Sequence, residues 1–251
     1  MPEMKDGCIV VTGASRGIGA AIAQELAYNH FQVACLSRSG ELPAGVDAQL
    51  ATQSGMFALP CDITDASAIS HAFERIARTT GKPLVGLVNN AGLHLQGASA
   101  TFSTADYEKV MTANATSVFR VSQTAYPYLA KNGSALIVNM GSFFEKLGVK
   151  GNVAYCASKA AVGAITRCLA VEWARDGIRV LNVAPGYIET DLNRAELNEG
   201  PLQAFLRKRI PTGGPGKAAD VAGLVAMLYQ LPGQFLTGET LFIDGAQGMA
   251  L

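Results

Sequence analysis

Charge is scarce in this sequence and balanced where it occurs. Charged residues make up 16% of the 251 positions, with 20 Lys+Arg against 20 Asp+Glu, so the formal net charge is zero at pH 7. Composition therefore excludes a basic nucleic-acid face and a polybasic membrane patch. Histidine is rarer still. His30, His71 and His94 stand far apart, so no metal site is expected. The cysteines, Cys8, Cys35, Cys61, Cys156 and Cys168, form no CxxC pair and have apolar neighbours. They read as buried reduced thiols, as in a cytoplasmic protein. No apolar run reaches the ~18 residues of a membrane span. The opening "MPEMKDGCIVVTGASRG" lacks a basic start followed by an apolar signal core. A soluble, unexported chain is expected.

What is abundant is apolar: 49% of residues, enough for a sizeable core. "CIVVTG" (Cys8–Gly13) is a continuous β-branched run of the kind found in buried parallel strands. Helix is expected over Gly17–Asn29, from "TDAS" to Arg78 with Thr64 or Asp65 as cap, over Thr104–Leu129, over Asn152–Arg175 and over Ala218–Leu231. Strands are expected at Gln32–Ser37, Gly55–Asp62, Leu84–Gly92, Ala135–Ser142, "GIRVLNVAPG" and "ETLFIDG". This alternation calls for one α/β domain over residues 1–251. It is a doubly wound, Rossmann-type parallel sheet of about seven strands with helices on both faces. The irregular segments Leu93–Ser103, Phe143–Gly151 and Tyr187–Gly216 each follow the C-terminal end of a strand, where open sheets bind ligands. The last, 187–216, reads as a substrate lid.

"TGASRGIG" sets Gly13, Gly17 and Gly19, with Ser15, Arg16 and Ile18, between the first strand and the first helix. Glycines there permit a tight turn, and the helix N-terminus offers N–H groups to a pyrophosphate. A carboxylate ending the second strand would bind a ribose 2′-hydroxyl and select NAD. The sequence has Ser37, Arg38 and Ser39 instead. Arg16 and Arg38 are either a clamp for the 2′-phosphate of NADP(H) or ordinary surface arginines.

In "NVAYCASKAAV", Tyr155 and Lys159 stand one helical turn apart on one face. An ammonium beside a phenol stabilises the phenolate and suits the phenol to proton transfer. A bare YxxxK is weak evidence, but here it keeps company in order: "VTGASRGIG", "NNAG" (Asn89–Gly92), Asn114, Ser142, "YCASK" and "PGYIETD". Ser142 with Lys159 also fits a Ser/Lys hydrolase. That reading leaves the glycine turn without purpose, and no GxSxG elbow is present.

With these motifs the sequence resembles the classical short-chain dehydrogenase/reductase family, over essentially its whole length. The resemblance implies a catalytic tetrad of Asn114, Ser142, Tyr155 and Lys159. In it, Tyr155 transfers the proton, Lys159 lowers its pKa and binds the nicotinamide ribose, Ser142 holds the substrate oxygen, and Asn114 holds a relay water. It further implies Asp62 and Ile63 at the adenine, Asn89, Asn90, Ala91 and Gly92 along the adenosine side, and Pro185, Gly186, Ile188 and Thr190 near the carboxamide.

"GIRVLNVAPGYIETDL" and "FLTGETLFIDG" are similar to the 3-oxoacyl-(acyl-carrier-protein) reductases and nearby ketone reductases. Asp176 stands where that group has an arginine for its acidic carrier, so a carrier-bound substrate is not favoured. Leu93, His94, Phe143, Phe144, Leu147, Val149 and Tyr187 are expected to line an apolar pocket, with Glu145, Lys146 and Lys150 solvated at its rim. Three functions compete: an NADPH-dependent ketone reductase, a dehydrogenase of a secondary alcohol or cyclic diol, and a cofactor-sensing protein without chemistry. The third would lack Tyr155 or Lys159. The stripe Ala157, Ala160, Ala161, Ala164, Ile165, Cys168 and Leu169 serves either the core or a dimer or tetramer interface.

Overall fold

The computed structural model describes residues 7–191, 193 and 200–249. Its main sheet holds seven parallel strands: β1 (Cys8–Thr12), β2 (Gln32–Ser37), β3 (Phe57–Pro60), β4 (Leu84–Asn89), β5 (Ala135–Met140), β6 (Ile178–Pro185) and β9 (Thr240–Ile243). Their order is β3-β2-β1-β4-β5-β6-β9, as expected of a doubly wound sheet. Two further strands, β7 (Ile188–Glu189) and β8 (Gly216–Lys217), pair with each other and tie together the two ends of the segment 187–216.

The strands form because their residues are β-branched and apolar, and alternate positions reach opposite layers. Ile9 and Val11 enter the core beneath α1 (Gly17–Tyr28) and α8 (Ala218–Gln230). Cys8 and Val10 face α3 (Ala66–Thr79), α5 (Ser117–Leu129) and α6 (Val153–Trp173). Asp65 is the cap of α3, accepting from the backbone N–H groups of Ser67 and Ala68.

The expected helix over Thr104–Leu129 is divided. It consists of α4 (Thr104–Met111), a π-helical turn (Thr112–Thr116) and α5. The third strand is shorter than expected, and the seven-residue α2 (Ala48–Ser54), capped by Asp47, precedes it. In that segment, 187–216, α7 (Gly200–Arg209) carries Arg207, Lys208 and Arg209, while residues 192 and 194–199 lie outside the described ones. The thiol expectation is corrected at two positions: Cys8, Cys35 and Cys61 are buried, but on α6 Cys156 is half-buried and Cys168 is exposed. The strand order reverses between β1 and β4, which places the ligand crevice at their C-terminal ends.

Candidate active site

At that crevice the turn between β1 and α1 is built for an anion. Gly13 has φ +65°, and a Cβ there would lie 2.8 Å from the Cα of Ala91. Only glycine fits both the conformation and the close approach. α1 begins with no side-chain cap and no acid in its first turn. Its N-terminal dipole is thus not answered by a protein carboxylate, and this donor set fits a pyrophosphate. Arg16, the residue before the helix, is exposed, as is Arg38 beyond β2. The Ser37 hydroxyl accepts from the Gly40 N–H (3.1 Å), which shapes the turn presenting Arg38. Asp62 is held below the usual carboxylate range, first by the backbone and hydroxyl of Thr64, with Arg38 adding to the effect. Ser15, Ile18 and Ile63 are half-buried beside this crevice's loops.

The "NNAG" segment supports this cradle from behind. Asn90 donates to the carbonyls of Thr12 (3.0 Å) and Gly13 (3.2 Å), and the Ala91 N–H donates to the Thr12 hydroxyl. Asn89 closes β4 at the start of this segment. Its side chain is buried and its amide is spent on Ser122 and Asn139. Asn114 sits in the π-helical turn, where its Oδ1 accepts from the Leu93 N–H (2.7 Å). Its Nδ2 donates to the Leu93 carbonyl (2.8 Å) and to Ser158 Oγ (3.0 Å). The Asn114 side chain thus fixes the loop after Gly92.

Ser142 and Tyr155 meet across the end of β5. The Ser142 hydroxyl accepts from the Phe144 N–H (3.3 Å) and bonds the Tyr155 phenol. Lys159 lies on the Tyr155 face of α6, with Nζ 5.6 Å from the phenol ring centroid. It is only 6% exposed and donates to the Met140 carbonyl at 2.7 Å. Burial pushes the Tyr155 phenol up to about 12, with Ser142 pulling the other way. Burial likewise pushes the Lys159 ammonium down to about 8, opposed by Glu145. In the protein alone, desolvation is the larger influence on both groups, and Lys159 is turned to a backbone carbonyl.

Residues 13–248 match the family model described as enoyl-(acyl carrier protein) reductase. The 3-oxoacyl-[acyl-carrier-protein] reductase MabA of Mycobacterium tuberculosis is 34% identical, covering 99% of this chain and 95% of its own. The chain belongs to the short-chain dehydrogenase/reductase family. It is an oxidoreductase, and such enzymes interconvert CH–OH and C=O groups. Gluconate 5-dehydrogenase of Gluconobacter oxydans is 31% identical over 96% of this chain and 94% of that protein. Among solved structures, a gluconate 5-dehydrogenase from Burkholderia cenocepacia, in complex with NADP and tartrate, superposes with TM-score 0.89. It is 30% identical and covers 98% of this chain and 96% of its own.

Aromatic side chains gather beside Tyr155. Phe144 meets Tyr155 edge-on (5.8 Å) and Tyr187 (6.2 Å), and Phe143 meets Tyr187 (5.5 Å). Phe143 and Phe144 are buried, so they back the wall, whereas Leu93, Leu147, Val149 and Tyr187 are half-buried. His94 is exposed and packs on Tyr155, ring centroids 4.7 Å apart. Its Nε2 meets Asn152 Oδ1 at 2.5 Å, and Asn152 Nδ2 donates to the Lys150 carbonyl. The Asn152 amide is thereby oriented with its oxygen toward the ring, so Nε2 is the donor, and in that tautomer Nδ1 is an acceptor. At the end of β6, Pro185 and Ile188 are buried, and the Gly186 N–H donates to the Ile243 carbonyl. The Thr190 hydroxyl donates to Asn193 Oδ1 (3.1 Å).

The rim reading is corrected at Glu145, which is half-buried and accepts from Asn182 at 2.8 Å. Lys146 lies 4.0 Å above the Phe242 ring, and Lys150 is exposed. The buried bonds of Asn139, Asn182 and Glu145 were missed from sequence. The available signal was an asparagine inside each apolar strand run, "LIVNM" and "VLNVAP".

Proposed function

We propose that the chain is an NADPH-dependent reductase of ketones, working reversibly, with Tyr155 as proton donor. The observation that carries the cofactor choice is the end of β2, where exposed Arg38 stands between two serines and no carboxylate. In this reading Arg16 and Arg38 hold the 2′-phosphate, the Gly13–Gly19 turn and the α1 N-terminus hold the pyrophosphate, and Asp62 with Ile63 flanks the adenine. When bound, the nicotinamide cofactor supplies the hydride. Tyr155 gives its proton to the carbonyl oxygen as charge develops there, and Ser142 holds that oxygen in place. Lys159 binds the ribose hydroxyls and supports the phenolate that is left. Ile188 and Thr190 hold the carboxamide. Asn114 keeps the Leu93 loop, and so the pocket floor, in register.

The aromatic wall supports an apolar or aryl ketone. A second reading, a dehydrogenase of hydroxylated substrates, is favoured by one observation: the Nδ1 acceptor of His94 beside Tyr155 suits a substrate hydroxyl. Asp176 does not present a cation to an acidic carrier protein, because its carboxylate accepts from the Tyr126 phenol (3.0 Å). A free ketone is therefore preferred to a carrier-bound 3-oxoacyl chain. The buried free thiols fit the cytoplasm, and among the described residues no helix is long and apolar enough to cross a membrane. On α6, Ala160, Ala164, Cys168 and Val171 are exposed, which supports a homodimer or homotetramer.

Initial rates with NADPH and NADH on a panel of ketones and hydroxyketones test this reading. Arg38→Ala should raise the NADPH KM about ten- to a hundredfold, the worth of one charged contact, and leave the NADH KM nearly unchanged. A wild-type preference for NADH would overturn the cofactor choice. Faster turnover of hydroxyketones, lost in His94→Phe, would favour the second reading.

A further inference from the structure

A row of polar side chains crosses the sheet under the active site. Asn89 of β4, Asn139 of β5, Asn182 of β6 and Thr240 of β9 are register partners in successive strand pairs. Residues level with one another project to the same face. The three asparagines are buried. Asn89 Nδ2 donates to Asn139 Oδ1 (2.8 Å), and Asn139 Nδ2 donates to Thr166 Oγ1 (2.9 Å). Asn182 departs from that pattern. Its Nδ2 donates to Glu145 Oε2 (2.8 Å) and to Thr240 Oγ1 (3.1 Å), while its buried Oδ1 has no protein partner. Thr240 in turn donates to the Glu145 carboxylate.

Glu145 ends the short 3-10 turn that begins at Ser142. The spacing Ser-x-x-Glu is that of a capping box, in which the glutamate reaches back to the turn's own start. The serine half is made, with the Phe144 N–H on Ser142 Oγ. The glutamate instead crosses to β6 and β9. On the other side of Ser142, Gly141 rests against the same amide, for a Cβ there would lie 2.6 Å from Asn182 Oδ1. Both flanks of the catalytic serine are thus set by one buried side chain, and Glu145 is the bond that closes the arrangement.

Glu145 also faces charge. Lys146 and Arg167 act on it through space, and it acts on Lys159. Arg167 Nη1 and Glu145 Oε1 approach the same point over Gly163, each 3.5 Å from where a Cβ would sit. Among the described residues, Tyr155 and Tyr187 are the other titratable groups against this turn, through Ser142, Phe143 and Phe144. Burial raises the carboxyl's pKa, and the carboxylate favours the charged form of Lys159.

We propose that Glu145 is a positioning residue for the reaction, anchoring the Ser142 turn on Asn182 and Thr240 and setting a negative charge opposite Lys159. This rests on the ketone-reductase reading. The two parts of the role separate in two variants. Glu145→Gln keeps an acceptor for Asn182 and Thr240 but drops the charge. Glu145→Ala removes both.

The test measures kcat and KM on one ketone across pH, cofactor affinity by quenching of NADPH fluorescence, and thermal unfolding, for wild type and both variants. Glu145→Ala should lower kcat at least tenfold at pH 7, with ketone KM and NADPH affinity within about twofold. Glu145→Gln should recover kcat to within about threefold, with the alkaline fall of the profile moved to lower pH because Lys159 loses its proton sooner. A folded Glu145→Ala protein with kcat within twofold of wild type overturns the proposal. So does equal loss in both variants with an unmoved pH profile, which would mark a merely structural part. If Glu145→Ala does not fold, Thr240→Val removes the hydroxyl that accepts from Asn182 and bonds Glu145, leaving the carboxylate itself in place. It should lower kcat severalfold at constant KM, and an unchanged kcat overturns the proposal. Absence of wild-type turnover on every ketone would instead sink the reductase reading, and this inference with it.

Discussion

Lys159 and Tyr155 are each driven by burial toward the form that carries no charge, and this has consequences for stability as well as turnover. The Lys159 pKa is about 8 in the folded protein against 10.5 in a free side chain. The unfolded chain therefore binds a proton that the folded chain releases between those values, and stability rises with pH across that window. The cost of burying the ammonium is fully present below pH 8. Lys159→Met should be inactive yet more resistant to urea than wild type at pH 7, by on the order of 3 kcal/mol. That advantage should shrink toward pH 10, and urea unfolding at both pH values checks it. An equal gap at both would show that charge burial is not the cost. Tyr155 has the opposite sign: its pKa is raised from 10 to about 12, so its contribution is lost as pH rises through that interval. Tyr155→Phe should cut turnover by a factor of ~10²–10⁴, with NADPH affinity within twofold, as fluorescence titration would read. Substantial reduction by the Phe variant would remove Tyr155 from the mechanism. These residues were legible because helical spacing and order along the chain brought them together. Glu145 was not. Its loop, "SFFEKLGVKG", reads as solvated, and its anchor Asn182 is distant in sequence.

Among the elements, the strands followed from apolar runs bounded by turns, and the doubly wound sheet from their alternation with helices. The π-helical turn at Thr112–Thr116 did not, since one extra residue in a long helix barely disturbs its periodicity. Nor did β7 and β8, whose two-residue strands pair Ile188 with Gly216 and Glu189 with Lys217 across the length of the segment 187–216. No local pattern specifies so distant a pairing. The π-helical turn matters because it aims Asn114 at the Leu93 backbone. Asn114→Ala removes bonds to the Leu93 N–H and carbonyl and to Ser158, leaving those buried groups to find other partners. The variant should lose about 2–4 kcal/mol of stability in urea and turn over more slowly, because the loop after Gly92 shifts. Unchanged stability would mean that the loop is held by other bonds.

For the molecule as a whole, zero net charge and the engaged Asp176 carboxylate argue against long-range attraction to an acidic carrier. Competition between a free ketone and a carrier-bound 3-oxoacyl thioester should favour the free ketone. A kcat/KM tens of times higher for the carrier-bound form, collapsing as salt rises, would reverse that and point to Arg207–Arg209 on α7. The exposed stripe on α6 should be covered by a second copy: light scattering at micromolar concentration should give a dimer or tetramer, and Ala164→Arg a smaller species. A single monomeric wild-type species would count against it. Cys168 lies on that stripe, whereas Cys8, Cys35 and Cys61 are buried in the core. Maleimide alkylation of the peptide carrying Cys168 should accordingly quicken as the protein is diluted, while the three core thiols stay unmodified until denaturant is added. The thiol then works as a built-in gauge of dissociation, read by mass spectrometry at concentrations too low for scattered light.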